Sequence, residues 1–184
     1  GQNVTWNYPG VLLFGTQWIV FLNASINPGT PNGNLTKWAN VSGKSTATNE
    51  SISVNASAIV QVANTCGIVV SPSTLNFGSA ETGNTTAELS DVVNNTGTVS
   101  TTNLTIQGTN WVNGSNSFSV AQTHYSTTSG LAWGNMTALA LNPATLGAGI
   151  LAPGAALPSY YRLRIPLGQA AGAYTQDITY TAVC

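Results

Sequence analysis

The sequence predicts an all-β protein: a β-sandwich with an extended strand at its amino end. Three observations lead there. Apolar residues recur every second position in short runs, Gly, Pro and Asn clusters separate those runs, and almost no stretch carries a helical period. A chain of 184 residues is the length of a single domain with room for an extension.

Residues 3–14, NVTWNYPGVLLF, place Val4, Trp6 and Tyr8 opposite Asn3, Thr5 and Asn7, before Pro9-Gly10 shifts the register into Val11, Leu12, Leu13 and Phe14. An alternating strand this apolar must pack either into its own sandwich or into the groove of another copy; in the second case alternate side chains fill pockets while the main chain supplies hydrogen bonds. A further run follows at 18–26. The segment 30–49, with Lys37 and Lys44, reads as a solvated loop or a hairpin arm. Residues 51–63 alternate Ile52, Val54, Ala56, Ala58, Val60 and Val62 against Ser51, Ser53, Asn55, Ser57 and Gln61, which predicts a half-buried strand. Short strands are expected at 68–70, 75–77, 87–93, 101–106, 117–122 and 160–165. The stretch 135–146 fits a helical turn limited by Pro143 or, over 135–141, a strand. In the last run, 174–183, Tyr174, Gln176, Ile178, Tyr180 and Ala182 oppose a β-branched face.

Composition narrows the function classes. Charged residues make up 5 % of the chain, against about 25 % in an ordinary soluble domain. With four basic side chains no patch neutralises several phosphates, so nucleic acid and polybasic membrane contact are excluded. No uninterrupted apolar stretch is long enough for a membrane span. The start at Gly1, with no basic and apolar leader, is expected to be a mature terminus left by signal-peptide removal.

The asparagines suggest the compartment. Sequons occur at Asn3, Asn23, Asn34, Asn40, Asn49, Asn55, Asn84, Asn94, Asn103, Asn113 and Asn135, eleven of the twenty asparagines. Random order would give about five. Glycan spread from end to end can supply the solvation that charged side chains normally provide. Cys66 and Cys184 show no metal-ligand spacing and are expected to form a disulfide; its 119-residue loop would restrict the unfolded chain by about 4.9 kcal/mol in the chain-entropy model. Scarce charge also predicts a stability largely indifferent to acid, because amides and hydroxyls do not titrate.

Catalytic signatures are absent. A triad around His124, the sole histidine, would need Asp91 or Asp177, and no GxSxG accompanies it. Nothing points to a paired-carboxylate site among Glu50, Glu81, Glu88, Asp91 and Asp177, to a calcium loop or to a phosphate loop. An isopeptide bond from Lys37 or Lys44 competes with simple solvation. Trp38, Trp111 and Trp133 are candidates for an aromatic sugar platform, or for core and glycan-packing roles.

Two resemblances follow from these residues. Residues 70–108, with Pro72, the Leu75-Asn76-Phe77-Gly78 run, the Asn94-Asn95-Thr96-Gly97 turn and the closing Leu104-Thr105-Ile106-Gln107-Gly108, resemble immunoglobulin-like modules of the ASPM/SPD-2/hydin type. That resemblance implies Leu75 and Phe77 in the core and a hairpin at residues 94–97. The whole chain, sequon-crowded, charge-poor and opened by an apolar strand, resembles the pilin-like thread filament subunit of thermoacidophilic archaea. The resemblance implies a non-enzymatic subunit of an extracellular, cell-surface filament, N-glycosylated and polymerised head to tail from identical subunits by donor-strand complementation. Adhesion to surface glycans or neighbouring cells is its expected role. In that reading residues 1–14 are the donor, through Val4, Trp6, Tyr8, Val11 and Leu13. Residues 15–184 are the sandwich closed by Cys66 and Cys184, with no cofactor or metal beyond covalent glycans. The alternative is a secreted or surface-layer carbohydrate-binding sandwich with its first strand packed in cis.

Overall fold

A computed structural model describes residues 29–184 together with positions 5, 10, 11, 13, 19 and 25–27. Val4, Trp6 and Tyr8, the sequons at Asn3 and Asn23, and most of the run at 18–26 lie outside the described residues. Val11 and Leu13 of the expected donor strand are exposed.

The chain is all-β. Among the described residues the only helical pieces are two three-residue 3-10 turns, Val120–Gln122 and Trp133–Asn135. The strands are β1 (Gly33–Lys44), β2 (Ser51–Val62), β3 (Ile68–Ser71), β4 (Leu89–Asn95), β5 (Asn103–Gly108), β6 (Trp111–Asn113), β7 (Asn116–Phe118), β8 (Thr123–Ser126), β9 (Thr137–Ala138), β10 (Ala144–Thr145), β11 (Ala156–Leu163) and β12 (Ile178–Val183). Five form one sheet in the order β3-β4-β11-β8-β9, and three form a second in the order β10-β5-β12. Pairs β1–β2 and β6–β7 stand as separate two-stranded ribbons. All the strand pairs are antiparallel.

Period-two alternation builds the core. Asp91, Val93 and Asn95 of β4 turn inward with Ser159, Tyr161 and Leu163 of β11. Leu104 and Ile106 of β5 face them from the second sheet, so the two sheets share one core with Val120, Tyr125, Leu139, Leu146 and Leu151. Gly108 ends β5 against Leu139: a Cβ there would lie 2.5 Å from Leu139 Cδ2, so the close approach requires glycine.

Several expectations change. The strand at 51–63 exists as β2, but apart from Val62 it is exposed. Among the described residues it pairs only with β1, and no second layer covers its apolar face. The segment 30–49 supplies the other arm of that hairpin. Residues 94–97 make no hairpin: they carry the chain from β4 in one sheet toward β5 in the other. Leu75 and Phe77 do pack against the core, yet 75–77 belongs to no strand. The helical turn considered for 135–146 is replaced by a preceding 3-10 turn and the short strands β9 and β10.

Neutral side chains hold the crossover between the sheets. Asn95 Nδ2 donates to the Val99 carbonyl at 2.9 Å and the Leu151 carbonyl at 2.7 Å, while its Oδ1 accepts from Gly97 N at 2.9 Å. Thr98 Oγ1 donates to the Ala63 carbonyl at 2.6 Å and accepts from Thr65 N at 2.7 Å. Thr101 Oγ1 accepts from Leu151 N at 2.7 Å and donates to the Gly149 carbonyl at 3.1 Å. Close by in sequence, Cys66 after β2 is joined to Cys184 after β12, with Cα atoms 5.8 Å apart. Truncating the fully buried Asn95 would take the side-chain partner from the Val99 carbonyl, while the Leu151 carbonyl keeps Thr101 N and Gly97 N keeps the Gly67 carbonyl, and would leave a void in the core. Asn95→Ala is therefore expected to cost about 3 kcal/mol in chemical denaturation, whereas the exposed Asn142→Ala stays within about 0.5 kcal/mol.

Candidate functional site

The ribbon β6–β7 places Trp111 directly opposite Phe118. Their rings stack with centroids 5.7 Å apart; Phe77 meets Trp111 edge-on at 6.0 Å, and Tyr174 tilts against Phe118 at 5.1 Å. The indole Nε1 of Trp111 donates to Thr123 Oγ1 at 2.8 Å, which donates to Gln176 Oε1 at 2.9 Å, so the ring is fixed at both its apolar and its polar end.

These rings form the wall of a cavity of about 890 Å³ between residues 75–82 and 169–174. Leu163 and Ile165 contribute to its lining, and Glu81 is its only carboxylate. The segment bordering it is extended but unladdered. No backbone–backbone hydrogen bond joins residues 74–80 to another described residue, and Gly78 N instead bonds Asn76 Oδ1 at 2.9 Å. Leu75 and Phe77 are held by packing, while among the described residues the main chain between them has no backbone partner. An open main-chain edge beside an aromatic trough is the arrangement that accepts an added strand.

Comparison with protein-family models and with curated proteins finds no match. The site therefore stands on its own chemistry.

The sequence-derived candidates are dispersed. Of the nine described sequon asparagines, Asn34, Asn40, Asn49, Asn55, Asn84, Asn103 and Asn135 are exposed, and Asn94 and Asn113 are half-buried. Asn95, which is buried, heads no sequon. Trp38 is exposed on β1, Trp111 is buried beside the cavity, and Trp133 stacks on His124 at 3.8 Å with the Arg164 guanidinium 5.5 Å from its ring. The three tryptophans thus form no common platform. Lys37 and Lys44 lie on the exposed β1, opposite Ala58 and Ser51. His124 Nδ1 pairs with the Trp133 carbonyl at 2.8 Å rather than with a carboxylate. Among the described residues no cluster of His, Cys, Asp or Glu could hold a metal, and no helix is long and apolar enough to cross a membrane.

Sequence reasoning missed the cavity. Its signal was the pair Trp111 and Phe118 around the turn Asn113-Gly114-Ser115-Asn116, but Phe77 and Tyr174 come from segments about a hundred residues apart whose meeting no local pattern announces. It also missed an inter-sheet carboxyl. Asp91 accepts hydrogen bonds from Tyr180 of β12 at 2.8 Å and Tyr161 of β11 at 3.5 Å, and the two tyrosine hydroxyls touch each other. Burial pushes the Asp91 carboxyl up to about 6, against which the tyrosine hydrogen bonds pull only partly. The same burial raises both tyrosine hydroxyls.

Folding thus favours protonated Asp91. Its contribution is complete below the ordinary value of 3.8 and is lost as pH rises through about 6. Stability is expected to rise by on the order of 2 kcal/mol between pH 7 and pH 3.5. Denaturation of Asp91→Asn across that range checks the assignment, since the variant should lose most of the slope.

Proposed function

We propose that the chain is a structural subunit of an extracellular, N-glycosylated surface filament, a pilus or thread, polymerised head to tail by donor-strand complementation and serving adhesion or cell–cell contact. Residues 1–14 of one copy are the donor, and the trough beside residues 74–80 of the next is the acceptor. The observation that carries the reading is that unladdered edge over the Phe77, Trp111, Phe118 and Tyr174 rings.

The donor sequence suits such a trough. Val4, Trp6 and Tyr8 recur at the two-residue spacing that fills successive pockets, and Val11 and Leu13 repeat it after Pro9-Gly10. Contact between two different patches is heterologous, and when it fails to close a ring it propagates as a filament. Accessible sequon asparagines and the disulfide agree with an extracellular life. A second reading, a carbohydrate-binding module, draws on the same trough, because Asn76, Glu81 and Gln169 place polar groups among its aromatic rings.

Negative-stain electron microscopy and light scattering on natively purified chain test the choice. Intact chain should form filaments. Chain lacking residues 1–14 should stay monomeric, and so should Ala173→Trp, which fills the trough from an exposed position. Filaments of ordinary length from both variants would remove donor-strand assembly; a stable monomer whose trough binds oligosaccharide would favour the second reading.

A further inference from the structure

Strands β1 and β2 pair over twelve positions, from Gly33 opposite Val62 to Lys44 opposite Ser51, and among the described residues no third strand joins them. The register divides their side chains between two unlike faces. One carries Leu35, Val41, Ile52, Val54 and Val60, with alanines between them and Lys37 as its single charge. The other carries Asn34, Asn40 and Asn55, all three sequon asparagines of these two strands, with Asn40 Nδ2 donating to Asn55 Oδ1 at 2.6 Å, among serines and threonine and the two exposed apolar residues Trp38 and Ile59. Asn49, the remaining sequon of this region, sits in the connecting turn. Every site for a bulky hydrophilic modification on the strands is thus on one side, and the apolar side has none.

That apolar side is uncovered: its five large residues are between 38 % and 61 % exposed. A two-stranded hairpin is at best marginal in water, and a contiguous apolar patch of this kind marks an interaction surface. We propose that the apolar face of the β1–β2 hairpin is buried against the same face of a second copy of the chain, forming a four-stranded sandwich with both sequon faces outward.

Size, charge and pattern argue for this occupant. Twelve residues per strand make a ribbon ~40 Å long and ~10 Å wide. Two such faces remove about 800 Å² from water, the size of a weak contact between free molecules. A partner must be almost uncharged, as this chain is. A two-fold axis through the Ala39–Ala56 row would set the Leu35–Val60 row over the Gly43–Ile52 row, so that the bulk of Leu35 meets a glycine-bearing row. Lys37 lies on the outer strand and can extend past its edge into water. The modest area makes the pairing weak between free monomers and strong between copies already tethered. It requires no donor strand and is independent of the filament reading.

Single-cysteine variants Ala56→Cys and Ser57→Cys, on opposite faces, test it in the full chain, because both native cysteines are in the disulfide. With a short bifunctional maleimide at high protein concentration, Ala56→Cys is expected to give covalent dimer at least about tenfold more than Ser57→Cys. Adding Val54→Thr to Ala56→Cys should reduce that yield while leaving the circular dichroism spectrum unchanged. Equal yields from the two faces, or no dimer from Ala56→Cys, would overturn the proposal. So would a thiol in Ala56→Cys that is slow toward a monofunctional maleimide in dilute monomer while Ser57→Cys reacts quickly, since a segment of the same chain would then cover the face.

Discussion

The fold depends on satisfying buried backbone groups at the crossover between the sheets without using charge. Between β4 and β5 the chain leaves one layer for the other, and its regular ladder gives way to single backbone bonds such as Thr96 N to the Gly67 carbonyl and Thr101 N to the Leu151 carbonyl. The side chains of Asn95, Thr98 and Thr101 complete the set: Asn95 and Thr101 reach residues 149–151, Thr98 reaches residues 63–65, and Asn95 also bonds within the crossover at Val99 and Gly97. Gly97 permits the approach, since a Cβ there would meet the Thr65 carbonyl at 2.5 Å. The two core layers and the base of the β1–β2 hairpin are thereby located by neutral hydrogen bonds, whose strength does not depend on counter-charges.

The same economy gives Asp91 its character. Among the described residues only one ion pair is present, Arg162 with Glu88 at 3.8 Å on the protein's flank. The carboxyl between the sheets faces tyrosine hydroxyls instead of a cation. With no positive partner to hold it ionised, burial dominates and the neutral acid is favoured. The expectation of indifference to acid therefore needs refinement: at this one position the chain is better suited to acid than to neutral solution.

Much of the secondary structure was legible because period two needs only a few residues to declare itself. β2 and β12 were readable, as was the presence of strands near β4 and β5. Alternation says which residues share a face but not whether another layer lies over it, so 51–62 was read correctly as a strand and wrongly as half-buried. The turn chemistry at 94–97 was visible, but glycine and asparagine identify a change of direction rather than its destination. Strand β12 begins at Ile178, later than its alternation suggested, because Tyr174 packs on Phe118 and Gln176 bonds Thr123 and Thr109. The trough was least legible of all, since its walls come from four segments joined only by tertiary packing.

The bridge between Cys66 and Cys184 has a mechanical meaning. It joins the root of the exposed hairpin to the end of the last strand across 118 positions of sequence. Tension applied between the amino-terminal part of the chain and its last residue passes through a sulfur–sulfur bond and bypasses the intervening loop. Both core sheets lie within that loop. Pulled in this direction, the protein would lengthen by straightening only what precedes Cys66, while the packed layers would remain outside the path of the force.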